Sequence, residues 1–482
     1  MIPFMGFTPD IDPTTQGAIV DCENIIPTLR GMGGAPTPYD VGLPALAEES
    51  RGASSLSRLD GQRRMFVGSE SEIYEVGATS FTDVSKAGGY TGGLESKWRF
   101  AQFGNASLAS NYADVIQVST SGDFADIADA PQAKIIDTAS GFVLAFNITS
   151  ALVGDLPHGW ACSGLYDHLT WTPATSNLAA WGMLMDTPGE IRAGKRLGQD
   201  VVAYKERSMY LGRFVGAPVI WQWQLIASDI GAISQECVID TGTTHVFLGR
   251  DDFWQFDGSR PVAIGAPVKE WFFSRMDQQY AHRVQGGLDR FNKCAWWWFP
   301  TKDSAGVLSE AIIFNTATNK WGRTTVTAEC VFDYQTPDLT WDDWPPGTPA
   351  TYEDIPDIPY DSPAWDTSAP QFAIIGSDSK IKVMSGACAS AYIVTGEFGD
   401  DSQYSTLTSV VPRFTDRPTT SYMTHYVAEY SGGAMTQASE SALNGNKFDA
   451  LYSGRWHRIK LEFTGNFEIT AYQPNLTQDG TQ

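Results

Sequence analysis

Residues 245–261 read HVFLGRDDFWQFDGSRP, and this stretch decides the fold. Val246, Phe247 and Leu248 form a short apolar run, Gly249 to Asp252 a tight polar break, and Phe253 to Phe256 return with aromatic residues before Asp257-Gly258 closes the unit. Two short apolar runs around a Gly/Asp break are a β-hairpin signature, because strands need only a few residues and Gly and Asp supply the turn. The unit recurs at 65–68 with 73–76, at 201–204 with 209–211 and at 372–375 with 381–384. Less regular copies lie at 108–112 with 115–118 and at 295–299 with 311–314. Hairpins recurring every ~40 to 50 residues are how a propeller reads, since each four-stranded blade buries its faces only against its neighbours. The expected fold is all-β, a β-propeller of about six blades, with an additional C-terminal β-sheet region; stacked β-sandwiches are the main competitor.

Outward from these hairpins, helical periodicity is thin, and 46 Gly and 26 Pro interrupt the chain throughout. One short surface helix is expected at 268–276, where Val268, Trp271, Phe272 and Arg275 fall at helical intervals. The segment 336–370, TPDLTWDDWPPGTPATYEDIPDIPYDSPAWDTSAP, is too rich in Pro for a regular ladder and reads as a long extended loop within 335–371. Long loops carry contacts, so Trp341, Trp344, Tyr352, Tyr360 and Trp365 are the candidate interface residues. From about Thr395 the pattern changes to longer alternating runs, as at Trp456, Ile459, Leu461 and Phe463. The expected division is therefore a propeller over 1–394 and C-terminal strands over 395–482 that complete or flank it.

The chain has 482 residues, 42% of them hydrophobic and 12% aromatic, a composition that offsets the entropy of ordering and argues against global disorder. Its 33 Lys+Arg against 56 Asp+Glu give a formal net charge of −23, which opposes sequence-specific binding to nucleic acid. An acidic wall would keep DNA from sticking, and acidity also serves solubility. Cys22, Cys162, Cys237, Cys294, Cys330 and Cys388 are scattered singly, without a CxxC pair, and read as buried reduced thiols. No window approaches a membrane span and the start lacks the pattern of a signal peptide, so synthesis and assembly in the cytoplasm are expected.

Chemistry-bearing motifs are sparse. Asp251-Asp252 could act as a carboxylate pair, but it sits at a hairpin tip where Asp favours turns. Asp342-Asp343 with Glu353 or Asp354 lacks the alternating oxygen ligands of a calcium loop and reads as solvated. His158, His168, His245, His282, His425 and His457 show no zinc spacing and read as structural. GlyMetGlyGly at 31–34 reads as a turn, not a phosphate cradle. In Trp296-Trp297-Trp298 alternate side chains must face opposite sides; an outward Trp could stack on a sugar or fill an interface, and burial of both faces is preferred. No catalytic residue, cofactor or metal site is assigned.

Ile11-Asp12-Pro13, Cys22 to Thr28, then Gly31 and Pro36 form an opening that resembles phage head-to-tail proteins. QDVVAYKERSMYL at 199–211, SDIGAISQECVID at 228–240 and the 245–261 stretch resemble virion proteins of tailed phages. Their order is similar to that in the tail nozzle, or packaged-DNA-stabilisation, proteins of short-tailed bacteriophages, and the similarity runs over 1–465, including RWHRIKLEF at 455–463. The resemblance implies a non-enzymatic propeller protomer, six around a channel, below the portal and adaptor and above a tail needle, spike or fibre. Such a ring in the virion tail would retain DNA and then conduct it without sequence preference. No segment matching a spike-binding extension is found. Two rivals stand beside this reading: a receptor-binding or fibre-associated propeller that stacks aromatics on host glycans, and a glycan-degrading enzyme with two carboxylates about 5 to 9 Å apart.

Overall fold

Strand two of each blade is packed between neighbouring blades, so its residues are buried on both faces and the sequence runs apolar without alternation. Phe142–Ser150 and Cys294–Pro300 are the clearest cases, the latter with all seven residues buried. The computed structural model describes residues 1–93, 95–335 and 370–480. Six four-stranded antiparallel sheets stand alone in it. They are blades 1 (52–83), 2 (99–126), 3 (132–183), 4 (191–227), 5 (238–263) and 7 (330–386). A further four-stranded run, blade 6 (285–324), lies between blades 5 and 7 and heads a larger sheet.

The first strand of every blade is innermost. Gly52–Ser57, Arg99–Phe103, Gln132–Ala139, Ile191–Leu197, Val238–Asp240, Gln285–Asp289 and Cys330–Tyr334 touch in that order, and the last touches the first, closing the ring. Closure is made by the other end of the chain. Thr37–Asp40 is the outer strand of blade 7, with Val383 opposite Tyr39. Tight turns set the register within blades; Ser140 and Gly141, at φ +50° and +80°, form the two-residue link that only residues tolerant of positive φ accept.

The hairpins read from the sequence are strands two and three of blades 1, 2, 4, 5, 6 and 7. The helix forms at Lys269–Arg275, its first turn held by Asp10, whose carboxylate accepts from the backbone N–H of Glu270 and Trp271 at 2.7 and 2.9 Å. All six cysteines are free and buried. Trp296, Trp297 and Trp298 are fully buried, as preferred. Trp296 and Trp298 stack at 5.3 Å and face Phe372 of blade 7, while Trp297 faces Phe253 of blade 5.

The first 34 residues, assigned above to the propeller, run instead with the C-terminal strands. The strands are short, and the partners that tie them to the C-terminal strands lie more than 350 residues away: Ile2 opposes Tyr472, and Cys22 opposes Ile393. The GlyMetGlyGly segment is also more than a turn. Met32–Gly34 is a strand between Ile25–Pro27 and Glu468–Gly480, and a Cβ on Gly31 would stand 2.2 Å from the carbonyl oxygen of Ile469. Only glycine lets the two backbones approach so closely.

Blade 6 continues through these N-terminal strands into Glu468–Gly480, Tyr404–Asp416 and Phe448–Gly454, making one ten-stranded sheet. A seven-stranded sheet packs against it, built from Gly6–Phe7, Ala18–Glu23, Ala391–Thr395, Trp456–Thr464, Thr420–Ala428 and Thr436–Ala442, with Phe398–Gly399 at its side. One apolar cluster crosses the junction, from Val246, Phe253 and Trp297 in the propeller to Ile393, Met423 and Ile459 in the second lobe.

The two sheets of that lobe are also joined by a buried polar chain. His425 and His457 are hydrogen-bonded Nε2 to Nδ1 at 2.9 Å, and His457 Nε2 meets the Ser405 hydroxyl at 2.9 Å. Burial lowers both imidazoles, His425 to about 4. The folded chain thus holds them neutral at a pH where the unfolded chain protonates them. The contribution of His425 is fully present above pH ~6.5 and is lost as pH falls from there through about 4, by roughly 2 to 3 kcal/mol, and that of His457 is lost in the same direction. Urea midpoints measured from pH 7 to 4 should fall over this window, and the fall should be shallower in His425→Leu; equal slopes would exclude the pair as its source.

Candidate functional site

Because every inner strand enters the ring from the same end, the residues at its start gather around the axis there. Lys97 and Arg99 come from blade 2, Lys134 from blade 3, Glu190 and Arg192 from blade 4 and Glu236 from blade 5. They line a cavity of about 680 Å³ at the axial mouth. None carries a local motif, since their neighbours in space are tens of residues away in sequence.

Ion pairs tie this mouth across the ring. Arg99 meets Glu236 at 2.7 Å, joining blades 2 and 5 across the axis. Glu190 holds Lys134 at 3.5 Å, and Arg192 lies 3.6 Å from Glu190 and 3.3 Å from Glu206. Glu95 pairs with Arg283 and with His282 at 2.7 Å, and the Arg283 hydrogen bond pushes its carboxyl down to about 2. Neutral contacts lock neighbouring blades. Gln235 accepts from Gly194 N–H at 2.8 Å and donates back to its carbonyl at 3.2 Å, and Gln285 bridges Glu329 O and Val331 N–H at 2.8 and 3.1 Å.

Two groups at this end remain poorly compensated. Glu329, whose carboxylate accepts from the Ser50 N–H at 3.3 Å, is raised by burial to about 7. Lys97 has no carboxylate within 4 Å among the described residues, and burial lowers its ammonium. At the opposite end of the inner strands, burial also raises Asp137 and Asp333. Asp137 accepts from the N–H of Arg196 and Thr138 at 2.7 Å each, and Asp333 has Arg290 at 3.8 Å. Among the described residues the arrangement offers paired charges and one ammonium without a carboxylate partner. Among the described residues no group of three or more His, Cys, Asp or Glu is placed to hold a metal ion.

The sequence-derived candidates fall elsewhere. Trp341, Trp344, Tyr352, Tyr360 and Trp365, like Asp342-Asp343, lie outside the described residues. Asp252 is buried at the hairpin tip, where its carboxylate accepts from Phe253 and Gly265 N–H at 2.8 and 3.0 Å and meets Lys269 at 3.3 Å. It fastens the turn, as its place in the hairpin suggested.

No family model and no curated protein matches the chain. Among solved structures the likenesses are distant. The extracellular domain of a hybrid two-component system from B. thetaiotaomicron aligns at 9% identity and TM-score 0.40, over 80% of this chain and 44% of that one. PorZ, a surface component of the type-IX secretion system of Porphyromonas gingivalis, aligns at 9% and 0.35 over 60% and 34%. Apo AztD from Citrobacter koseri aligns at 10% and 0.36 over 86% and 90%. The chain thus spans less than half the length of the first two. Likenesses this distant say nothing about activity. The propeller itself is read from the strand pairing, and among the described residues no helix is long and apolar enough to cross a membrane.

Proposed function

We propose that this chain is a non-enzymatic structural protein of a tailed bacteriophage, a subunit of a six-membered tail nozzle ring seated below the portal and adaptor. Its distal partners are tail needle, spike or fibre proteins, and it is assembled in the host cytoplasm and works in the virion. What supports this reading is the run of sequence blocks at 199–261, the acid surplus and one structural feature above the others: the ten-stranded sheet that fuses propeller and second lobe. A subunit that must hold pressurised DNA needs lobes that cannot hinge, and a shared sheet with a continuous apolar core removes the hinge. DNA would pass through the channel of the ring, because the Arg99–Glu236 pair bridges the axis of each propeller. The charge of −23 keeps such a channel from binding its cargo. Quantitative mass spectrometry of purified particles should find this chain in six copies for each portal ring; its absence from particles overturns the assignment.

One cleft favours a second reading, a module that recognises host glycans. Between blades 2 and 3, Trp181, 41% exposed, and Trp171 line a cavity of about 410 Å³ with Asp129, Gln132 and Thr149. An accessible indole face beside carboxylate and hydroxyl groups suits the apolar face and hydroxyl edge of a sugar ring. On a glycan array the protein should then bind at least one host oligosaccharide, with at least ten-fold weaker binding by Trp181→Ala; an array without signal removes this reading.

A further inference from the structure

The axial mouth is short of acceptors. Its three lining carboxylates, Glu95, Glu190 and Glu236, are already engaged by cations. Four bases line the same cavity, Lys97, Arg99, Lys134 and Arg192, in a chain whose acids otherwise outnumber its bases by 56 to 33. Lys97 has no ion-pair partner among the described residues. The side chains of Arg99 and Arg192 line the same cavity already paired, Arg99 with Glu236 at 2.7 Å and Arg192 with Glu206 at 3.3 Å. With every lining carboxylate taken, the Lys97 ammonium, in a cavity that bases from blades 2, 3 and 4 line, is left for an oxygen-rich anion to complete.

We infer that the axial mouth is a binding site for a small oxyanion, a carboxylate or phosphate group, held by Lys97 in the cavity that Arg99, Lys134 and Arg192 also line. The cavity, about 680 Å³, accepts a compact polycarboxylate or a phosphorylated metabolite and is too small for a folded partner. Glu236 and Glu190 pair with the two guanidinium groups at 2.7 and 3.6 Å. Neither the sheet junction nor the ring assembly enters this site, so it stands apart from the nozzle assignment.

Calorimetric titration of the full chain with citrate and with inorganic phosphate, at constant ionic strength, tests it. Saturable one-to-one binding of at least one anion is expected, with at least ten-fold weaker affinity in Lys97→Met and partial recovery in Lys97→Arg. Which anion binds more tightly separates a carboxylate from a phosphate ligand. Amine acetylation of the wild-type chain, read by mass spectrometry, keeps the test independent of any folding defect. The tighter anion should slow acetylation of Lys97 several-fold and leave exposed Lys302 unchanged. Absence of binding by both anions, or binding that neither depends on Lys97 nor protects it, overturns the site.

Discussion

Trp297→Ala is expected to lower the unfolding free energy by about 3 to 5 kcal/mol, the range for removing a large aromatic from a packed core. The indole is fully buried on the second strand of blade 6. It packs 5.1 Å from Phe253 and 6.2 Å from Trp321, and its N–H donates to Cys237 O at 2.9 Å. Truncation therefore opens a cavity between blades 5 and 6 and orphans an acceptor in the inner ring, two costs that add. Phe291→Ala is the control: that ring is 93% exposed at a turn of the same blade and should change stability by under about 0.5 kcal/mol. Equal midpoints for Trp297→Ala and wild type in a urea titration would mean that the blades do not pack as described.

Arg323→Met should cost about 3 kcal/mol, because it takes the buried cation from Glu310, leaving it only the more exposed Arg275, and orphans the Cys22 carbonyl. Arg323 lies on the outer strand of blade 6, its side chain only 9% exposed, and meets Glu310, 10% exposed, at 3.1 Å. It also reaches Asp21 at 3.3 Å and donates to Cys22 O at 3.1 Å on an N-terminal strand. Glu310 in turn holds Arg275 of the helix, and both guanidinium groups lie over the Trp271 ring. One residue thus pins blade, helix and second lobe together. Arg213→Met breaks the Arg213–Asp200 pair, in which the arginine side chain is 58% exposed, and should cost under about 1 kcal/mol. Hydrogen exchange adds a spatial check. In Arg323→Met protection should drop both in Lys320–Thr324 and in Ala18–Glu23, and a loss confined to one of them would contradict the shared junction.

The propeller was legible because strands two and three of a blade are both buried and joined by a short polar turn, as in 245–256. Blade 3 escaped notice because its third strand, Gly154–Cys162, opens with the exposed Gly154 and Asp155, and a long connection separates it from Ala180–Met183. Innermost strands such as Gln285–Asp289 and outermost ones such as Ala125–Asp126 are short and partly polar, since one edge meets the axis and the other meets solvent. The second lobe was seen from 395 onward but not its N-terminal half. Pairings such as Ile2 with Tyr472 leave no local pattern, and only the long-range ladder reveals them. The axial mouth is invisible for the same reason. Lys97, Lys134, Arg192 and Glu236 look like scattered surface charges until ring closure places them together. His425, His457 and Ser405 likewise share no spacing that a motif would capture.

A reconstruction of intact particles carrying this chain, by electron cryomicroscopy, addresses the nozzle assignment most directly. Six two-lobed subunits, each a propeller joined rigidly to a β-sandwich, should form a ring on the portal axis with the DNA channel between them. Density for the chain in peripheral fibres, or threaded by DNA through the propeller axis itself, would contradict it.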